Sequence, residues 1–213
     1  MIRILLVDDH KLVRVGLRNI LEAQTDIEIV GEASDGEAGL ERARELKPDI
    51  VVLDINMPEM NGVEATRKLA RLDPSPRILI VSVHKQDPIP MRMLEAGASG
   101  YLSKDLAADE IVAAIRQVHA GRRYLSADVA RDMALAQLGG ESALSTLSDR
   151  EMEVLLLVAT GMSLQAIAEK LHVSPKTVAT YRYRLFEKLN VTNDVELARY
   201  ALRHGLIEDV PAG

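Results

Sequence analysis

The chain has no cysteine, no tryptophan and a single phenylalanine. Without cysteine there are no disulfides and no thiolate metal sites, which fits a reducing compartment. With aromatics at 3% of residues, the cores have to be built from Leu, Val, Ile and Ala. No apolar stretch approaches the ~20 residues that a membrane span needs. The N-terminal MIRILLVDDH lacks the charged segment, apolar core and small-residue cleavage site of a signal peptide. A cytoplasmic protein with no membrane partner is expected.

What is present is ordinary in amount and uneven in placement. The 213 residues are comfortable for two domains, and 47% hydrophobic with 27% charged is usual for a globular chain. The net charge of −6 hides two different halves. Residues 1–121 hold 20 acidic against 15 basic side chains, and residues 145–213 hold 9 against 8. Within 170–188, Lys170, Lys176, Arg182, Arg184 and Lys188 face Glu187 alone. An acidic half followed by a local basic stripe points to two jobs.

Residues 1–121 alternate in type. Short β-branched runs at 2–7, 27–31, 50–53, 77–83 and 100–103 are separated by helical spacing at 11–23, 36–46, 63–72, 91–96 and 108–120. Near-continuous apolar strands between helices read as a five-stranded parallel sheet covered on both faces, a doubly wound α/β domain. Pro88 and Pro90 fall where the fourth helix should begin, which its first turn tolerates. Residues 122–144 read as a linker with one short helix after Ser126. From 147 onward only helices are expected: Ser148 with Glu151 fits a capping box, Gly161 is a stop, Ser163 opens LQAIAEKL, and Ser174-Pro175 opens KTVATYRYRLFEKL. Asn193 with Glu196 repeats the box, and Gly205 is placed as the last helix's C′ residue.

The run VVLDINMP poses a chemical question, because a buried strand that ends on an acid, Asp54, is costly unless the acid has a partner or a task. In a doubly wound sheet, ligands sit beyond the carboxyl ends of the strands. Asp8 and Asp9 follow the first strand, Asp54 the third, Ser82 falls near the end of the fourth, and Lys104 follows the fifth. Singly, each has a bland reading: helix caps, a satisfied core hydroxyl, a snorkelling lysine. Jointly they form one mouth. Three carboxylates there repel each other unless a cation neutralises them, and an oxygen-only set suits Mg²⁺. Asp54 could then attack phosphorus and become an acyl phosphate, with Lys104 countering charge on the oxygens and Ser82 donating a hydrogen bond. His10, His84, His119, His172 and His204 lie in different segments, so no transition-metal site is expected.

The stretches LLVDDH, DINMPEMNG, ILIVSV and GASGYLSKD resemble, in order, the motifs of response-regulator receiver domains. That resemblance implies Asp54 as phosphoacceptor and Asp8, through water, with Asp9 as Mg²⁺ ligands, joined by the backbone carbonyl of Asn56. It further implies Ser82 and Tyr101 as a switch pair and Lys104 as the phosphate-binding lysine.

SLQAIAEKLHVSPKTVATYRYRLFEKL reads as a helix-turn-helix. On its second helix Val178, Leu185 and Leu189 share one face, and Lys176, Thr180, Tyr183 and Glu187, flanked by Ala179 and Arg184, share the other. A solvated basic helix is the bland reading, but the preceding helix, turn and cap arrive at the spacing of a DNA reader. Lys176, Thr177, Ala179, Thr180, Tyr183, Arg184 and Lys188 are the candidate DNA contacts, with Arg184 and Lys188 suited to phosphates. LSDREMEVLLLVATGMSLQAIAEKLHVSPKTV with EKLNV resembles the LuxR-type DNA-binding domain over 145–207. Together the halves, receiver 1–121 and DNA-binding 145–213, resemble a NarL/FixJ-family two-component response regulator. KTVATYRYRLFEKLNV with DVELARYALRHGLIE is closer still to the GacA/UvrY subgroup.

The resemblance implies a transcription factor, not an enzyme. It would be phosphorylated by a sensor histidine kinase of the BarA/GacS kind, would dimerise when phosphorylated or bound to DNA, and would act on promoters of small regulatory RNAs. Two other readings compete. A Mg²⁺-dependent phosphohydrolase would want a second acid two residues after its nucleophile, where this chain has Asn56. A phospho-dependent protein-binding adaptor would use the helical domain on protein instead of duplex DNA.

Overall fold

The computed structural model describes residues 1–55, 57, 62–85, 88–104, 108–138, 143–204, 206 and 207, without the side chains of 108, 136–138 and 145. The chain divides into two compact units, the first built from Met1–Lys85 and Ile89–Arg131, the second beginning at Asp132.

In the first unit, β1 (Ile2–Val7), β2 (Ile27–Ala33), β3 (Ile50–Leu53), β4 (Arg77–Ser82), β5 (Gly100–Ser103) and β6 (Tyr124–Leu125) form one parallel sheet in the order β2-β1-β3-β4-β5-β6. The sheet therefore has six strands where the sequence pattern indicates five. Two residues are too short to show a period, and β6 exists because Gly100 and Tyr101 leave an edge that Tyr124 and Leu125 fill. The first domain's sheet thus extends past residue 121 into the segment read as linker. The helices are α1 (Lys11–Glu22), α2 (Gly36–Leu46), α3 (Gly62–Ala70), α4 (Ile89–Ala96), α5 (Ala108–His119) and the first turn of α6 (Ala127–Leu138), which runs past Arg131.

Side chains alternate across a strand, so one face of the sheet carries Ile4, Leu6, Ile50, Val52, Leu79, Val81 and Leu102. Leu21 of α1 and Ile111, Val112, Ile115 and Val118 of α5 close that core. The other face carries Leu5, Val7, Val51, Leu53, Ile78, Ile80 and Tyr101, all buried. There α2 comes so close to β1 that a Cβ on Gly39 would stand 2.8 Å from Val7 Cγ1. Register then fixes the site: Val7 pairs with Leu53, Leu53 with Ile80 and Ile80 with Tyr101. Asp8 and Asp54 are consequently level with each other, one residue beyond that row.

The second unit holds a 3-10 turn (Ala143–Thr146), α7 (Asp149–Ala159), α8 (Leu164–Lys170), α9 (Pro175–Leu189) and α10 (Asp194–Arg203). Each α-helix starts where its polar signal stands. The side chains of Ser148, Ser163, Ser174 and Asn193 accept from the backbone N–H three residues on. The turn between α8 and α9 needs a left-handed residue, and His172 supplies it at φ 51°. Gly205, read as a C′ residue, lies outside the described residues.

The capping box at Ser148 is complete, with Glu151 Oε2 accepting from the Ser148 N–H at 2.7 Å. Ser148→Ala is expected to destabilise the helical domain by about 1 kcal/mol. Urea unfolding of the full chain, followed by hydrogen exchange on α7 amides, checks this; unchanged α7 protection would rule it out.

Candidate functional site

The mouth forms because three loops leave the sheet at one edge. Asp54 N–H continues the ladder to the Val7 carbonyl (2.8 Å) and Lys104 N–H to the Ser82 carbonyl (2.8 Å). Asp54 is 1% exposed and Asp8 3%, a burial no carboxylate sustains without a partner. The partner is Lys104, whose Nζ lies 2.6 Å from Asp54 Oδ2 and 2.9 Å from Asp8 Oδ2. Burial alone would lower the Lys104 pKa, but the bonds from Asp54 and Asp8 outweigh it and hold the ammonium above its ordinary value.

One ammonium does not balance three acids. Among the described residues, Asp9 Oδ1 is buried without a hydrogen-bond partner, although His10 Nδ1 lies 2.7 Å from it. Ligand atoms of Asp8, Asp9, His10 and Asp54 all fall within 4.8 Å of one another. Hard oxygens in excess of positive charge, one of them unsatisfied, fit a hard divalent cation. His10 belongs to this cluster, which its simple adjacency to Asp8 and Asp9 in the chain could have indicated. Asn56, whose carbonyl the resemblance adds to the set, lies outside the described residues.

Behind the acids stands a support that has no local sequence signal. Arg14 Nη1 donates to the Asp8 carbonyl (2.5 Å), and its Nε pairs with Glu32 on β2 at 3.2 Å. Glu32 also takes Arg18 Nε at 2.6 Å. Burial would raise the Glu32 pKa, but Arg18 and Arg14 more than reverse this.

Ser82 and Tyr101 meet through one residue. His84 N–H donates to Ser82 Oγ (3.1 Å), and the Tyr101 hydroxyl donates to the His84 carbonyl (2.5 Å). The Tyr101 ring is fully buried, and that burial, with the Asp54 charge adding to it, drives the phenol pKa well up. Next in the chain, Lys85 Nζ pairs with Asp128 Oδ2 in the first turn of α6 at 3.3 Å.

In the second unit, the helix wheel sorts as its period requires. Val178, Leu185 and Leu189 are buried, while Lys176, Ala179, Thr180, Tyr183, Arg184 and Glu187 are exposed. Lys176 and Arg184 make no ion pair among the described residues. Thr177 is half-buried and spends its N–H and hydroxyl on Ser174 (3.1 and 2.8 Å). Lys188, a candidate phosphate contact, also has partners within its own domain. Its Nζ is held by Glu151 Oε2 at 2.6 Å and the Thr146 carbonyl at 3.0 Å, so its charge is committed to the domain's own cap. Arg182 pairs with Asp194 at 3.4 Å and lies over the Phe186 ring.

Comparison with known proteins places both halves. Residues 4–116 match the response regulator receiver domain, and residues 145–201 match bacterial regulatory proteins of the luxR family. The chain is 48% identical over 209 residues to response regulator UvrY of Escherichia coli K12, covering 97% of this chain and 96% of that one. It is 47% identical over 211 residues to response regulator GacA of Pseudomonas aeruginosa, covering 98% and 99%. Among solved structures it is similar to Salmonella enterica RcsB bound to promoter rprA in the presence of phosphomimetic BeF3-. The TM-score there is 0.75 at 27% identity, over 93% of this chain and 97% of that one.

Burial pushes the His84 pKa down to about 4, with the nearby Lys104 charge adding to it, from the ordinary 6.5. The native state therefore refuses a proton that the unfolded chain accepts, so stability is lost as pH falls from 6.5 and levels off near 4. The loss is expected to reach about 2 kcal/mol at pH 5. Urea unfolding at several pH values, wild type beside His84→Asn, reads this as a slope that is shallower in the variant; parallel slopes would refute it. Asp9→Asn removes one of three crowded charges at nearly constant shape. It is expected to raise stability by about 1 kcal/mol in EDTA and to lose most of the stabilisation that Mg²⁺ gives wild type. Thermal melts with and without Mg²⁺ decide, and an undiminished Mg²⁺ response in the variant would exclude Asp9 as a ligand.

Proposed function

Because the chain belongs to the response-regulator family, carrying a receiver domain followed by a LuxR-type DNA-binding domain, we propose that it is a transcription factor switched by phosphorylation of Asp54. Membership makes it a regulator and not an enzyme. The observation that carries the proposal is the buried Asp54 carboxylate, level with Asp8 and bridged to it by Lys104 at 2.6 and 2.9 Å.

In this reading a sensor histidine kinase, of the hybrid BarA/GacS kind, presents a phosphohistidine at the mouth. An Asp54 oxygen attacks phosphorus, the phosphorus–nitrogen bond breaks, and its electron pair leaves with the imidazole. Asp8, Asp9 and Asp54, with the Asn56 carbonyl, would hold Mg²⁺, which supplies the charge neutralisation that lets one anion approach another. Lys104 stays within reach of the new phosphate oxygens. Ser82 donates a hydrogen bond to the phosphate, and Tyr101 keeps its ring inside, closing the space that Ser82 leaves.

The output is duplex DNA, read by the exposed face of α9 around Lys176, Ala179, Thr180, Tyr183 and Arg184. RcsB bound to a promoter in the presence of a phosphomimetic supports this assignment. A homodimer on two half-sites is the natural occupancy of such an operator, and a protein at work on promoters works in the cytoplasm. Promoters of small regulatory RNA genes are the targets we assign, in keeping with the likeness to UvrY and GacA.

A phosphate-affinity gel with Mg²⁺ and acetyl phosphate, wild type beside Asp54→Asn, tests the switch. Wild type is expected to shift and the variant not. Phosphorylated wild type should bind duplex about 5- to 100-fold more tightly than the variant. Modification of both proteins, or of neither, with equal DNA affinity would defeat the proposal. Phosphorylation without any salt-sensitive duplex binding would favour the protein-binding adaptor instead.

A further inference from the structure

The exposed face of α9 has an unusual inventory for a reader of bases. Purines are commonly read by Arg or Lys on guanine and by Asn or Gln on adenine, each through paired hydrogen bonds. Between Lys176 and Arg184 this face offers none of them. Its centre is Ala179, Thr180 and Tyr183, neighbours at helical spacing. The Thr180 hydroxyl donates to the Lys176 carbonyl at 3.0 Å, which spends its one proton inside the helix. Tyr183 leaves 63% of its surface exposed.

One exposed aromatic is ordinary on a protein surface. This one lies beside an alanine methyl and a threonine whose proton is already used, with Lys176 and Arg184 at either end and neither in an ion pair among the described residues. Cations at the ends of an apolar centre suit a polyanion that presents apolar groups between its charges. In the major groove that group is the C5-methyl of thymine, the one apolar feature that distinguishes a base pair there.

We propose that Ala179, Thr180 and Tyr183 read thymine methyl groups, and that Tyr183 is the residue that sets sequence preference. This rests on the DNA-binding reading above and deepens it. Lys176 and Arg184 hold the helix to the phosphates and contribute affinity without sequence information.

Full-length protein, treated with Mg²⁺ and acetyl phosphate, is used to select duplexes from a random-sequence library. Recovered duplexes are then made with deoxythymidine or with deoxyuridine, which lacks only the methyl. Wild type is expected to lose about three- to four-fold in affinity for each contacted methyl removed. Tyr183→Ala is expected to bind the thymidine duplex more weakly and to respond less to uridine. Its salt dependence should be unchanged, because no phosphate contact is lost. Tyr183→Phe is expected to retain the thymidine preference, which a merely structural role for the hydroxyl would not predict. Equal binding of thymidine and uridine duplexes by wild type overturns the inference while leaving DNA binding intact. Equal uridine penalties in wild type and Tyr183→Ala overturn the role of Tyr183. Recovery of no duplex at all overturns the DNA-binding reading, and this inference with it.

Discussion

The Lys104 ammonium between Asp54 and Asp8 is the contact on which the first unit's chemistry depends. Two carboxylates almost wholly buried at a sheet edge would otherwise face a desolvation cost that exceeds the contribution of most single contacts in a domain. The sheet register makes the contact possible, since Val7 and Leu53 lie side by side and each is followed by its acid. Lys104 arrives from the far side of β4, three residues beyond Tyr101 of the same row. The arrangement is deliberately short of positive charge. A second ammonium would quiet the acids and also fill the space a phosphoryl group must enter. What remains is a site that is tolerable as it stands and would be improved by a cation, which suits the proposed phosphoacceptor role.

Much of this was legible in the sequence because it is local. Apolar runs of four to seven residues announce strands, polar residues before them announce caps, and the acids follow the strands directly. The helices start within two residues of the expected positions because Ser148, Ser163, Ser174 and Asn193 each complete a short-range hydrogen bond. What escaped has partners far away in the chain. β6 is two residues whose only reason to be extended is the edge of β5. Lys188 looks like a solvent-facing cation from its helix position, yet its partner Glu151 lies 37 residues earlier. Arg14 reads as one more charge on an amphipathic helix, and only the fold brings Glu32 and the Asp8 carbonyl to it. His84 carries no pattern at all; its depressed pKa is a product of burial and of Lys104.

In the helical domain, Glu151 joins two duties that are usually separate. Its carboxylate closes the cap of α7 and also anchors Lys188 near the end of α9. Burial would raise its pKa, but Lys188 and the Ser148 cap lower it further, so the group stays charged and the tie stays electrostatic. The last turn of α9 is thereby fastened to the start of α7, leaving the first turns, with Lys176 and Thr180, on the exposed side. A recognition helix held at its C-terminal end presents a fixed N-terminal half to a groove. The Lys188–Glu151 tie therefore gives rigidity to the exposed residues earlier in α9.

Phosphorylation can act only through a difference in interaction between two states. In the proposed switch that difference would be read at Ser82. A hydroxyl donates once and accepts twice, so Ser82 can give its proton to a phosphate while still accepting from the His84 N–H. That bond need not break for the switch to move; the loop after β4 can follow Ser82 as a body. Because the Tyr101 hydroxyl holds the carbonyl of the same residue, the ring and the loop are geared together. The Lys85–Asp128 pair, at the surface and about a third exposed on each side, is worth too little to drive such a change. It would adjust to the loop's position, which leaves His84 as the joint between Ser82 and Tyr101 in the proposed switch.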